Sequence, residues 1–91
     1  MGSKEIMLNA RKEIDEIDGR IIELISLRFQ KCLEIGKEKQ KTGEEILCRD
    51  RENEILLNVR KKSDKCFNDN ILNIYEKILS ESREIQKKIK D

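Results

Sequence analysis

One long hydrophobic pattern occupies the first half of the chain. Apolar residues, mostly isoleucine and leucine, recur there at every third or fourth position from about Lys4 to Lys41, which is the period of an amphipathic α-helix. The pattern ends at Thr42 and Gly43, where glycine can take the left-handed backbone conformation that closes many helices. A helix over residues 4–41 would be more than about 50 Å long, which exceeds the width of a compact domain of this size. Much of this helix must therefore pack against something outside its own chain.

Two shorter segments with the same period follow. The second has its apolar side around Val59, and polar, turn-like residues separate it from the third. Asn68 or Asp69 is suited to cap the third helix, and its apolar side carries isoleucines as far as Ile89. The predicted helices cover residues 4–41, 48–62 and 69–90. The chain is therefore predicted to be all-α, a three-helix protomer with one domain over residues 1–91.

Composition and charge narrow the class of protein. Charged residues make up 43% of the chain and aromatic residues 3%, which taken alone is typical of a disordered chain, but the regular helical period argues against disorder. The net charge of +1 comes from 20 basic and 19 acidic residues mixed along the sequence, so no basic block is suited to follow a nucleic-acid backbone. The sequence has no apolar run of the length that spans a bilayer, and its N-terminal residues lack the apolar core that a signal peptide is expected to have. We expect a cytoplasmic protein with no nucleic-acid or membrane partner, in which residues 1–3 are compatible with a cloning remnant.

The cysteine and histidine content limits the chemistry. Three cysteines are widely spaced, at Cys32, Cys48 and Cys66, and the chain has no histidine. This pattern argues against a disulfide framework, the usual zinc sites and any mechanism that needs a histidine base. We therefore expect no cofactor and no metal, and chemistry that depends on Arg, Lys, Glu, Gln, Ser or a single Cys.

Two cations interrupt the apolar stripe of the first helix. Arg28 and Lys39 are about three turns apart, which places them within about 20° of one face and roughly 16 Å apart along the axis. They could hold opposite ends of one small anion. Alternatively, both side chains reach outward to solvent or to acidic partners, as long cationic side chains commonly do.

Polar side chains also lie near the predicted core side of the other two helices. Ser82 and Gln86 are one turn apart and continue the apolar line of the third helix. Cys48, Arg51 and Glu52 share one face at the start of the second helix, close to backbone N–H groups that have no helical partner. Each group has an ordinary alternative, because a serine and a glutamine near a C-terminus are usually solvated, and Arg51 with Glu52 is typical of an exposed first turn.

Together these residues resemble the active-site pattern of the all-helical class of chorismate mutases. The resemblance covers nearly the whole chain, from about Ala10 to Ile89. Its most recognisable positions are residues 11–18, 21–25, 28, 35–37, 39 and 49–52. Each piece is common, but the combined spacing is specific. The resemblance implies an intertwined homodimeric helical bundle, in which each three-helix protomer has one long N-terminal helix.

The resemblance also implies a role for each candidate residue. The side chains that it assigns to the carboxylates of chorismate are those of Arg11, Arg28, Arg51 and Ser82. It implies that Lys39 and Gln86 face the ether oxygen and that Glu52 holds the ring hydroxyl.

Cys48 departs from the family pattern, because bacterial members often have Asp at this position. The resemblance implies that the backbone N–H of Cys48 binds the hydroxyl, and a cysteine side chain is then tolerable. If a carboxylate at this position is needed to orient a neighbour, the activity of this chain would be reduced.

The implied reaction is the Claisen rearrangement of chorismate to prephenate, a step in phenylalanine and tyrosine biosynthesis. It is a single pericyclic step that needs no nucleophile, base or metal, which fits a chain without histidine. Two other functions stay open. An isochorismate pyruvate lyase shares the fold and a similar cationic site in this family, whereas a non-catalytic helical dimerisation module gives Arg28 and Lys39 no reason to interrupt the stripe. Gln86, Glu52 and the full set of cations favour the mutase.

Arg11 is expected to act from the partner chain of the dimer. On one straight helix it would lie about 25 Å from Arg28 and about 42 Å from Lys39, so one molecule of chorismate's size could not contact all three. An antiparallel partner helix would carry the second Arg11 to the level between Arg28 and Lys39. The two-fold axis that relates the helices would pass near Ile21, Ile22 and Ile25. We therefore expect active sites that two chains share.

Overall fold

The computed structural model describes residues 2–88 of the chain. Its three α-helices are α1 (Ser3–Thr42), α2 (Arg49–Lys62) and α3 (Asn68–Lys87), and a short 3₁₀ turn (Lys65–Phe67) precedes α3. Residues 2–88 contain no β-strand, so the prediction of an all-α chain is confirmed. The described residues form two units, one ending at Gln30 and the other beginning at Lys31.

The C-terminal end of α1 is closed by a glycine. Gly43 has a φ of +77°, in the left-handed region that favours glycine over residues with a Cβ. The N–H of Glu44 donates to the carbonyl of Lys39 at 3.1 Å. This hydrogen bond spans six residues and is one of the two that define a Schellman motif at the end of a helix. The predicted helix end at Gly43 is confirmed, and the turn sends the chain into the loop of residues 44–48 before α2.

Most apolar side chains of α1 are exposed in the part of the helix from Ser3 to Gln30. The exposed fraction is 52% for both Ile14 and Ile17, 46% for Ile21 and 64% for Leu24. These four residues recur at helical spacing, and we refer to them as the apolar strip of α1. A helix that exposes such a strip normally packs it against another surface.

The second unit contains a small core. Its buried apolar side chains are Cys32, Val59 and Leu79, each at most 9% exposed. Gly36, one turn after Cys32, is buried as well. Half-buried apolar residues of α2 and α3 surround Val59 and Leu79 in sequence, among them Ile55 and Ile78. The α2 and α3 helices pack against each other, and this packing positions the polar residues considered below.

The start of α3 differs from the prediction that Asn68 or Asp69 caps it. Asn68 is the first residue of the helix, and Phe67 before it makes no side-chain cap. The Asp64 carboxylate instead accepts from the Cys66 N–H at 2.8 Å and caps the 3₁₀ turn. Asn68 cannot act as the cap because the helix already includes it, and its Oδ1 accepts from the Ser63 hydroxyl. The capping prediction was wrong because the 3₁₀ turn leads directly into the helix.

The described part of α3 ends at Lys87, before the predicted limit near Lys90. Ile89 and Lys90, which the prediction included in this helix, lie outside the described residues. Within residues 2–88, no helix combines the length and the apolar run needed to cross a bilayer.

Candidate active site

An ion pair joins the first turn of α2 to the C-terminal half of α3. Arg83 Nη1 donates to both carboxylate oxygens of Glu52, at 2.7 Å to Oε1 and 2.6 Å to Oε2. The Arg83 side chain is 31% exposed and that of Glu52 is 22% exposed. An open groove of about 330 Å³ lies beside the pair, and its lining residues are Leu47, Arg49, Glu52, Asn53, Leu56 and Arg83. The pair therefore fixes a carboxylate at the edge of a concave surface.

Ser82 and Gln86 lie on the core side of α3. Ser82 is 5% exposed, and its hydroxyl donates to the Ile78 carbonyl one turn earlier, at 2.7 Å. Gln86 is half-buried, and its Oε1 atom is buried without a hydrogen-bond partner among the described residues. Neither residue is the solvated surface residue that their place near the C-terminus suggests. Their burial agrees with the sequence prediction, and their contact with a substrate stays a prediction.

Lys39 turns toward the loop that precedes α2. Its side chain is half-buried, and Nζ donates to the Ile46 carbonyl at 2.7 Å. A lysine ammonium has three donors, so this hydrogen bond fixes the direction of the side chain and leaves two N–H groups for other acceptors. Lys39 therefore lies in neither of the two ordinary settings for a cation in an apolar stripe, full solvation or an ion pair with an acid.

Cys48 and Arg51 are exposed residues at the start of α2. Cys48 occupies the position before the first helical residue with extended backbone angles, and its side chain makes no capping hydrogen bond. Arg51 is paired with Glu54 one turn along its own helix, and both side chains are more than half exposed. Exposed ion pairs of this kind contribute little stability, typically less than about 1 kcal/mol. Arg51 can therefore leave Glu54 for another carboxylate at low cost.

A comparison with protein families decides the classification. The family model described as chorismate mutase type II matches residues 10–87. The chain belongs to the type II chorismate mutase family. This confirms the resemblance found in the sequence, and membership supports chorismate mutase activity in general. No curated protein and no solved structure shows a significant match to the chain.

All candidate residues of this chorismate mutase family member lie within the matched range, from Arg11 to Gln86. Arg11 is exposed and Arg28 is half-buried. Both belong to the unit that ends at Gln30, and the helix separates them by about 25 Å, so one chain does not bring them together. Within the second unit, Lys39 hydrogen-bonds to the loop before Cys48. Glu52 contacts Arg83 in the turn of α3 that carries Ser82 and Gln86.

Arg83 was missed by the sequence analysis. An arginine next to Ser82 has the appearance of an ordinary surface residue, and only the packing of α2 against α3 brings it to Glu52. The sequence feature that could have marked Arg83 as a site residue is its position within one turn of Ser82 and Gln86 on the same helix. Within residues 2–88, no group of three or more acidic or cysteine side chains is arranged to hold a metal ion.

Cys48 provides the first testable prediction. Its side chain makes no capping hydrogen bond, so we expect any contribution of this residue to come from its backbone. Cys48→Ser should keep kcat/KM for chorismate within about twofold of the parent value, because a serine retains the same N–H and is a favourable residue before a helix. Steady-state kinetics checks this. A large loss of activity in Cys48→Ser would contradict this assignment, whereas activity that survives modification of Cys48 by iodoacetamide would exclude a catalytic thiol.

Proposed function

We propose that this chain converts chorismate to prephenate, as a homodimer with two shared active sites, in the synthesis of phenylalanine and tyrosine. The observation that carries the proposal is the family match over residues 10–87, a range that contains every candidate cation and donor. The half-buried setting of Gln86 supports it, because its Oε1 atom is buried without a partner among the described residues and a buried polar group without a partner has a cost that a ligand can offset.

The reaction is an intramolecular rearrangement in which the ether C–O bond breaks as a new C–C bond forms, and no group leaves. An enzyme accelerates it by holding the compact diaxial conformer and by stabilising the negative charge that grows on the ether oxygen. Arginine suits the first task, because its planar guanidinium binds a carboxylate through two hydrogen bonds and fixes its direction. In our proposal Arg11, Arg28 and Arg51 bind the two carboxylates, with a contribution from Ser82.

Lys39 and Gln86 are proposed to perform the second task. Each donates a hydrogen bond that strengthens as the C–O bond stretches and charge develops on the ether oxygen. The hydrogen bond from Lys39 to the Ile46 carbonyl supports this role, since a lysine whose direction is fixed in advance loses less conformational freedom when substrate binds. Glu52 accepts from the ring hydroxyl, and the backbone N–H of Cys48 is proposed to bind the same region of the substrate.

The homodimer is supported by the exposed apolar residues of α1. Ile14, Ile17, Ile21 and Leu24, the apolar strip of α1, are each 46% exposed or more in the single chain. A second copy presents the same strip, so two copies can cover each other around a two-fold axis. Pairing of this kind buries surface that water would otherwise contact, at about 25 cal/mol per Å² of apolar area. It also offers a reason for the exposure of Arg11, which is then available to the partner's site.

The experiment that tests this function is an absorbance assay with two substrates. Chorismate should lose its conjugated-diene absorbance in the presence of the purified protein, and prephenate should form in equal amount. Isochorismate should be consumed much more slowly. Release of pyruvate from isochorismate at a higher rate than conversion of chorismate would identify a lyase instead, and conversion of neither compound would contradict both enzyme functions and favour a dimerisation module.

Arg28 provides a second prediction, about substrate binding. Arg28→Ala should raise KM for chorismate by about tenfold to a hundredfold, because the loss of a hydrogen bond to a charged group typically costs about 1.5–3 kcal/mol. Arg28→Lys should recover only part of this loss, since a point charge cannot replace a planar fork. Initial rates over a range of chorismate concentrations measure both effects. Full recovery in Arg28→Lys would contradict bidentate binding.

A further inference from the structure

The contact between Arg83 and Glu52 differs from the other ion pairs of the second unit. Pairs such as Lys77 with Glu81 lie within one helix and have side chains that are 75% and 48% exposed, and such pairs contribute little. Arg83 instead reaches from α3 to α2, and both side chains are less than one third exposed. A charge-assisted hydrogen bond between partly buried groups is stronger than the same bond between groups exposed to water. This contact is therefore strong enough to fix the position of a side chain.

The geometry leaves Glu52 able to bind a further group. An ionised carboxylate has about four acceptor sites on its two oxygens, and Arg83 Nη1 occupies one on each, at 2.7 and 2.6 Å. At least two acceptor sites remain for a hydroxyl donor. Arg83 also supplies the opposite charge that a partly buried carboxylate needs, so Glu52 can stay in place whether or not a ligand is bound.

The turn of α3 that carries Arg83 also carries two buried polar groups. Ser82, the preceding residue, is 5% exposed, and its hydroxyl donates to the Ile78 carbonyl at 2.7 Å. Gln86 follows one turn later with its Oε1 buried. Arg83 thus extends from the buried side of α3, and its contact joins that part of α3 to the first turn of α2.

We infer that Arg83 is a positioning residue that holds the Glu52 carboxylate ready to accept a hydrogen bond from the ring hydroxyl of the substrate. The inference rests on the proposed function, because the hydroxyl is that of chorismate. Arg83 does not itself touch the substrate. Without it, Glu52 regains free rotation of its side chain, and substrate binding must then restrict that rotation. The loss is therefore confined to substrates that carry the hydroxyl.

The test compares two substrates in three proteins. The substrates are chorismate and the analogue in which hydrogen replaces the ring hydroxyl, and the proteins are the parent, Arg83→Met and Lys77→Met. Lys77→Met removes a cation from an exposed ion pair on the same helix and serves as the matched control, with no expected effect on either substrate. Arg83→Met should lower kcat/KM for chorismate by about tenfold, mostly through KM. For the analogue the loss should be less than about twofold.

A residue that merely supports the fold would give a different pattern, because a distorted site would lower kcat/KM for both substrates by the same factor. Equal losses for the two substrates, or no loss for either, would overturn the inference while leaving the proposed function in place. If the parent protein converts neither substrate, the proposed function is wrong and the inference falls with it.

A second variant keeps the test decisive if Arg83→Met does not fold. Arg83→Lys keeps the charge but lacks the planar guanidinium, and it should show a smaller loss with the same preference for the hydroxyl-bearing substrate. Combination with Glu52→Gln provides an independent readout. Removal of Arg83 should have less than about a twofold further effect in that background, because two residues that act through one contact are not additive. Additive losses would count against the inference.

Discussion

Lys39→Ala and Gln86→Ala are each expected to reduce kcat for chorismate by about a hundredfold to a thousandfold, the usual effect of removing one donor from a site where charge develops. The loss should appear in kcat more than in KM, because the ether oxygen becomes a strong acceptor only as its bond to carbon stretches. Stopped-flow or steady-state absorbance measures it. Near-normal turnover in either variant would remove that residue from the site.

Stability should change much less than turnover in both variants. Lys39→Ala loses one hydrogen bond to the Ile46 carbonyl, which is expected to cost less than about 3 kcal/mol. Gln86→Ala removes an Oε1 atom that has no partner among the described residues, so little hydrogen bonding is lost. Thermal unfolding of both variants provides the comparison. Lys41→Ala and Lys87→Ala are matched controls, because the ion pair that each of these lysines makes among residues 2–88 is exposed and lies within its own helix. Both variants should retain parent activity.

The chemistry of the Gln86 amide permits a sharper form of this prediction. An amide donates a hydrogen bond at any pH, whereas a carboxyl group donates only when it is protonated. Gln86→Glu should therefore be nearly inactive at neutral pH and gain activity as the pH falls toward the range in which glutamic acid is protonated. A flat pH profile in Gln86→Glu would argue against donation by this side chain.

Some features of the structure could be predicted from the sequence because they depend on the local geometry of a single helix. The end of α1 was predictable because Gly43 is the residue type that a left-handed φ of +77° favours. The burial of Ser82 was predictable as well, since a helix with period 3.6 carries that position to the same side as Ile78 and Leu79. Both features depend on short-range geometry alone.

Features that depend on packing between elements were beyond the sequence. The contact between Arg83 and Glu52 requires a particular alignment of α2 against α3, which hydrophobic period does not define. The bond from Lys39 to Ile46 uses a backbone carbonyl, and every residue has one, so no residue type marks it. The predicted cap of α3 was wrong for a similar reason, because no distinct sequence pattern marks the 3₁₀ turn at Lys65–Phe67 that leads into the helix.

Arg11→Ala is expected to lose most of the activity although Arg11 is exposed in the single chain. Its helix separates it from Arg28 by about 25 Å, more than one molecule of chorismate's size can bridge. In our proposal the Arg11 guanidinium binds a substrate carboxylate in the site of the partner chain. The unfolding temperature should stay near that of the parent, because an exposed side chain contributes little to folding. Retention of full activity would show that Arg11 does not bind substrate.

The central claim is that chorismate rearranges at sites that two copies of the chain share. Mixed dimers test this claim most directly. An inactive Arg11→Ala chain is mixed with an inactive Lys39→Ala chain under conditions that allow subunits to exchange, and native mass spectrometry confirms the heterodimer. One of its two sites then carries both defects and the other carries neither, so we expect up to roughly half of the parent activity per heterodimer by two-fold symmetry. Conversion of chorismate that stays at the level of the two separate variants, with the heterodimer present, would contradict the account.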